Sequence, residues 1–235
     1  MKVRGERECR DCGTRWSYYE TGSIQCPACG SPVSVGVDDP TQHTDGAATL
    51  DLDDARTAMA EDRVSEAADS AAQTARNYLA TRGFVHAGEL TLLDETYVAA
   101  AELRATADLL GAMLDPDDAV ERHFLALLQG AEDGERPDDV PTAVRSARGL
   151  AAASAVSEYR GEAATWLDDL TAPPESRAVI ERLGDHATRI EALDGDVAPA
   201  DADRLVAAAR DLGLYLREED PAALESARTH LDRLG

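Results

Sequence analysis

Lysine is almost missing from this chain: Lys2 is the only one among 235 residues, against 22 arginines. Aromatic residues make up 4% of it. No apolar run approaches the roughly 18 residues that a membrane helix needs. The opening Met1-Lys2-Val3-Arg4-Gly5-Glu6 has no apolar signal-peptide core. A cytoplasmic protein without a membrane partner is therefore expected. Basic residues number 23 against 46 acidic ones, a formal charge of −23, so bulk charge does not draw this chain to nucleic acid. Also lacking are a glycine-rich phosphate loop, a Gly-x-Gly-x-x-Gly turn, a nucleophile elbow and a His-Glu-x-x-His pair. With no candidate catalytic pair, the sequence reads as a non-enzyme with no evident small-molecule substrate.

What is present in quantity is acid and alanine. Carboxylates are spread along the chain in clusters such as Asp51-Asp53-Asp54, Asp117-Asp118, Asp138-Asp139 and Glu218-Glu219-Asp220. The pattern describes a solvated acidic shell. In this respect the chain resembles proteins of salt-loving archaea, in whose molar-salt cytoplasm a Debye length of about 3 Å removes most self-repulsion.

Composition changes near residue 37. Residues 1–37 hold all four cysteines and five basic residues against four acidic ones, leaving −24 for the remainder. Residues 38–48, with Pro40 and Gly46 and no periodic apolar residue, read as a linker. Residues 49–235 read as an acidic α-helical domain. Its clearest stripe, Leu93, Tyr97, Ala100, Leu103, Ala107, Leu110 and Leu114, steps by three and four and gives a helix one apolar face. Similar stripes predict about seven helices, near 50–81, 88–114, 116–131, 138–170, 174–193, 200–217 and 221–234, the first broken near Arg63. No segment after residue 48 alternates with period two, so no sheet is expected there. Asp115-Pro116 and Asp220-Pro221 each offer a capping acid followed by proline at the first helical position. The expected fold is mainly α, a small N-terminal β ribbon followed by an all-α bundle.

The chemistry-bearing motif is a pair of knuckles, Cys9-Arg10-Asp11-Cys12-Gly13 and Cys26-Pro27-Ala28-Cys29-Gly30, with 13 residues between them. Two intervening residues let both thiolates of a pair reach one ion, and the following glycine can take the left-handed backbone of the turn. Cys9, Cys12, Cys26 and Cys29 are thus expected to bind one structural zinc ion. Over residues 7–33 the pattern resembles the zinc ribbons of transcription-factor-B type and, in its knuckles, rubredoxin-like ribbons. As a whole the chain resembles uncharacterised haloarchaeal zinc-ribbon proteins, a resemblance that implies no activity.

Rubrerythrin-type enzymes join such a ribbon to a di-iron bundle whose ligands include Glu-x-x-His pairs. Here Pro40, Gly83, Val120, Leu183 and Ala227 stand three residues before the five histidines, so that reading fails. Arg10, Arg15, Trp16, Tyr18 and Tyr19 are candidate contacts to nucleic acid or a partner, because aromatics interleaved with arginine suit single strands. Equally, the aromatics can pack the ribbon itself. His123 and His186 read as helix-boundary residues. The leading expectation is a zinc-dependent adaptor with a protein partner. The alternatives are a transcription- or translation-associated factor whose ribbon contacts nucleic acid or polymerase and, more remotely, a rubredoxin-like electron carrier.

Overall fold

The computed structural model describes residues 1–113, 117–170 and 174–234. A short β part comes first. Strand β2 (Glu6–Cys9) lies between β3 (Arg15–Ser17) and β4 (Ser34–Gly36), antiparallel to both, with Arg7 opposite Trp16 and Cys9 opposite Ser34. Strand β1 (Lys2–Val3) pairs with β5 (Thr41–Gln42), and one helical turn, α1 (Tyr18–Thr21), follows β3.

Helices dominate the rest: α2 (Asp53–Ala60), α3 (Val64–Thr81), α4 (Glu95–Ala112), α5 (Asp118–Gly130), α6 (Arg145–Asp168), α7 (Pro174–Ala192), α8 (Pro199–Glu218) and α9 (Pro221–Asp232). The mainly-α architecture with a small N-terminal β part matches the sequence reading. The anticipated break near Arg63 separates α2 from α3, with Asp62 between them at a φ of 62°, which a continuous α-helix does not tolerate. Eight helices therefore stand among the described residues where seven were expected after residue 48.

The expectation of no sheet in this half is corrected by a hairpin, β6 (Val85–His86) and β7 (Glu89–Leu90). Two residues per strand are too few to produce a visible alternation. The expected cap Asp115-Pro116 and the stripe's Leu114 lie outside the described residues. Helix α5 begins later than anticipated, with Asp117 accepting the backbone N–H of Ala119. Asp220 caps α9 as read, accepting from Ala222 at 2.9 Å, with Pro221 in the first turn.

Helix α4 packs against α3, α5 and α6, while α6 packs against α7 and α8. The close approaches come from alanine: Ala67, Ala71 and Ala75 of α3 and Ala99, Ala100 and Ala101 of α4 are all buried. Three rings fill what alanine cannot. Phe84 stands edge-on to Tyr97 at 4.8 Å and to Tyr159 at 4.9 Å between centroids, a geometry that aromatic quadrupoles favour.

Residues 38–48 are fastened at both ends. The N–H of His43 donates to Met1 O, that of Thr44 to Val85 O and that of Gly46 to Thr81 O. From the hairpin, the N–H of Gly88 donates to Gln42 O. Trp166 Nε1 of α6 donates to Gly88 O at 2.8 Å. The ribbon is thereby seated on the helices through this strap.

Candidate metal centre

The two knuckles fold as copies of one another. In the first, the N–H of Cys9 donates to Thr14 O and that of Gly13 to Cys9 O; in the second, Cys26 donates to Ser31 O and Gly30 to Cys26 O. Gly13 and Gly30 sit at φ of +72° and +73°, where a Cβ would be strained. Ser31 Oγ ties the knuckles together by donating to Asp11 Oδ2 at 2.6 Å.

This arrangement gathers all four sulfurs, each within 4.8 Å of the others. Cys9 Sγ lies 3.6 Å from Cys29 Sγ, and Cys12 Sγ lies 3.7 Å from Cys26 Sγ. Four sulfurs placed tetrahedrally about 2.3 Å from a metal are about 3.8 Å apart, so the cluster already has the dimensions of a four-thiolate shell. Cys9 and Cys26 are buried, whereas Cys12 and Cys29 are exposed.

The close sulfurs perturb one another's ionisation. The Thr14 hydroxyl, 3.2 Å from Cys12 Sγ, and the Thr14 backbone hold the Cys12 thiol down to about 6. At Cys29 the Ser31 backbone favours the thiolate, but the neighbouring sulfurs of Cys12 and Cys9 prevail and push it up to about 12. The opposed shifts describe one event: a first thiolate at Cys12 makes a second one costly beside it. A bound cation removes that penalty.

The other candidate residues do not converge on one face. Trp16 is buried and donates its Nε1–H to Ser23 O at 3.0 Å. Tyr19 turns toward the strap, its hydroxyl 2.5 Å from Thr41 Oγ1 and its ring 4.7 Å from the His43 ring. Tyr18 is half-buried, 6.2 Å from the same histidine. Arg15 pairs with Glu8 at 2.7 Å, while Arg10 is exposed.

A family model matches residues 1–231. The chain belongs to DUF7117, a family of unknown function. No curated protein and no solved structure matches it. The DUF7117 match runs through the cysteine ribbon and the helices alike, so the two parts belong to one family unit.

Sequence reasoning missed a second polar constellation. Glu102 of α4 is fully buried, with His123 of α5, Arg148 of α6 and the less buried Arg136 around it. Arg148 also forks onto Asp203 of α8, both contacts at 2.9 Å. No spacing rule marks these residues, because they stand on four different helices and, for Arg136, on the segment after α5.

Proposed function

We propose that this protein is a non-enzymatic, cytoplasmic adaptor in which one structural zinc ion holds the ribbon and the outer end of the ribbon docks a protein partner. The observation carrying this reading is the closed four-sulfur cluster: four thiolates complete a tetrahedral shell and leave no position for water or substrate. Zinc suits such a shell without adding redox chemistry.

Two further features favour docking. The strap holds one side of the ribbon against the helices, while Ile24 and Val33 expose about half their surface, 54% and 52%. Their backbones are neighbours of the knuckles, since Ser34 Oγ donates to Ile24 O and the N–H of Arg10 donates to Val33 O. An apolar pair beside a free arginine is the make-up of a small docking patch. The acidic shell of the helices keeps the protein soluble in molar salt.

The factor reading, in which the ribbon touches nucleic acid or polymerase, is the second choice because Trp16 is buried and the half-buried Tyr19 is engaged with Thr41 and His43. The test is binding by the full chain in molar potassium chloride. Ile24→Asp with Val33→Asp should abolish capture of a specific protein partner while leaving zinc content unchanged. Salt-resistant binding to single-stranded nucleic acid, lost on Tyr18→Ala, would instead establish the factor reading. A red protein with stoichiometric iron would establish the electron carrier.

A further inference from the structure

A cavity of about 320 Å³ opens where α3, α4 and α6 meet, at the small end of the range of ligand pockets. Its lining follows three helical stripes. Tyr97, Ala101 and Arg104 come from successive turns of α4, and Ala101 leaves the floor low. Helix α6 contributes Ser154, Glu158 and Glu162, again one turn apart, and α3 contributes Arg76. Arg82 and Phe84 close the side next to the hairpin.

Cations and carboxylates line this space without neutralising one another. Arg82 is occupied by Asp45 and Asp94, and Arg76 by Asp108. Arg104 has no such partner: its Nε is buried without a hydrogen bond, and no carboxylate among the described residues pairs with it. In a chain with twice as many acids as bases, a half-buried arginine left over is an unmet demand. Glu158 likewise pairs with no described cation. Glu162 spends Oε2 on the Thr44 hydroxyl and the N–H of Phe84, leaving Oε1 without a described partner.

We propose that this cavity binds a free α-amino acid, its carboxylate on the Arg104 fork and its ammonium on Glu158 and Glu162. A simple anion would meet Arg104 but sit beside two carboxylates. A simple cation would meet the glutamates but sit beside three arginines. A small zwitterion satisfies both, and a guanidinium is the side chain best shaped for a carboxylate. Tyr97, whose ionisation burial opposes, and Ser154 add neutral hydroxyl-bearing residues to the lining. Leu79 and Phe84 give the ligand's own side chain an apolar wall. Thr44 of the strap lines the same cavity, so occupancy bears on the segment that seats the ribbon.

Isothermal titration of the full-length, metal-loaded protein in molar potassium chloride, against each of the twenty free α-amino acids, tests this. Acetate, methylammonium and inorganic phosphate serve as half-ligand probes. The expected result is saturable one-to-one binding of at least one amino acid and none of acetate or methylammonium. Arg104→Gln and the exposed Glu158→Gln should each weaken it about tenfold or more, the loss of one charge-assisted bond, with the helical circular-dichroism signal unchanged. If Arg104→Gln fails to fold, Glu158→Gln alone decides. The proposal is overturned if no amino acid binds or if the variants bind as the parent does. Binding of phosphate alone, lost in Arg104→Gln, would also overturn it and leave a plain anion site.

Discussion

Nε2 of His123 lies 3.1 Å from Oε1 of Glu102, with both side chains shut away from solvent. Burial alone would oppose a charge on Glu102, but the hydrogen bond from His123 and the guanidinium groups of Arg148 and Arg136 outweigh it and hold the carboxyl below its usual range. Two carboxylates, Glu102 and Asp203, thus balance two guanidinium groups across α4, α6, α8 and the segment after α5. Removing one partner of such a set leaves an uncompensated buried charge. Glu102→Gln should therefore cost about 3–5 kcal/mol in denaturant unfolding, and Asp203→Asn, at a partly exposed site, about 1 kcal/mol. Equal costs for the two would show that burial is not what makes this network matter.

Elemental analysis should return one metal ion per chain, and a strong chelator should strip it with little loss of helical signal. The ribbon's own buried core is Cys9, Trp16 and Cys26, too small to fold unaided. Cys26→Ser removes a buried thiol of the cluster and should abolish metal binding outright. Proteolysis should then cut near residues 10–35 before it touches the helices. Loss of helical content in step with metal loss would mean that the strap transmits unfolding from the ribbon to the bundle.

The four-cysteine cluster was legible because its information is local: each knuckle needs five consecutive residues, and the glycine after each pair announces the turn. Helix faces were legible for the same reason, through steps of three and four. The network around Glu102 was not, because its other members lie 21 to 101 positions from Glu102 and meet it only through packing. Glu102 also sits off the stripe that runs from Leu93 to Leu110. Helix α4 is enclosed on several sides and buries Glu102 and Thr106 along with that stripe, so a one-sided apolar pattern understates how much of it is inside. For Tyr19 the sequence leaves partner contact and internal packing both open, because nothing in its own neighbourhood reveals His43 and His86, whose rings lie against it from the strap and the hairpin.

Helix α6 touches the turn after α7 through two glycines. A Cβ on Gly149 would lie 2.2 Å from the carbonyl oxygen of Gly195, and backbone cannot swing aside as a side chain can. Gly149→Ala should lower stability by about 1–3 kcal/mol, the usual cost of overpacking, although alanine is the better helix former. Gly161→Ala, in the same helix with nothing within 4 Å of the added carbon, should stabilise by about 0.5–1 kcal/mol. Thermal denaturation of the pair separates propensity from packing, and a stabilised Gly149→Ala would mean that the turn is not seated as described.

Acid should loosen the junction between ribbon and helices before it reaches the carboxylates. Burial, then the neighbouring His86, holds the His43 imidazole below its ordinary 6.5, with Asp45 opposing and the N-terminal ammonium reinforcing. Tyr18 and Tyr19 face the same ring. His186 is lowered too, by burial and then by Arg182 and Arg189. A histidine with a depressed folded value binds its proton more readily in the unfolded chain, so stability rises with pH. It is complete above about 6.5 and falls as the pH drops below that value. Glu102 and Glu132, whose folded values are depressed, lose their contribution only below about 4.5, a separate and lower window. Denaturant midpoints between about pH 8 and pH 5 should therefore slope downward toward acid. His43→Gln should flatten part of that slope and His186→Gln another part, and a profile that stays level down to pH 5 would show that neither imidazole is held neutral by the fold.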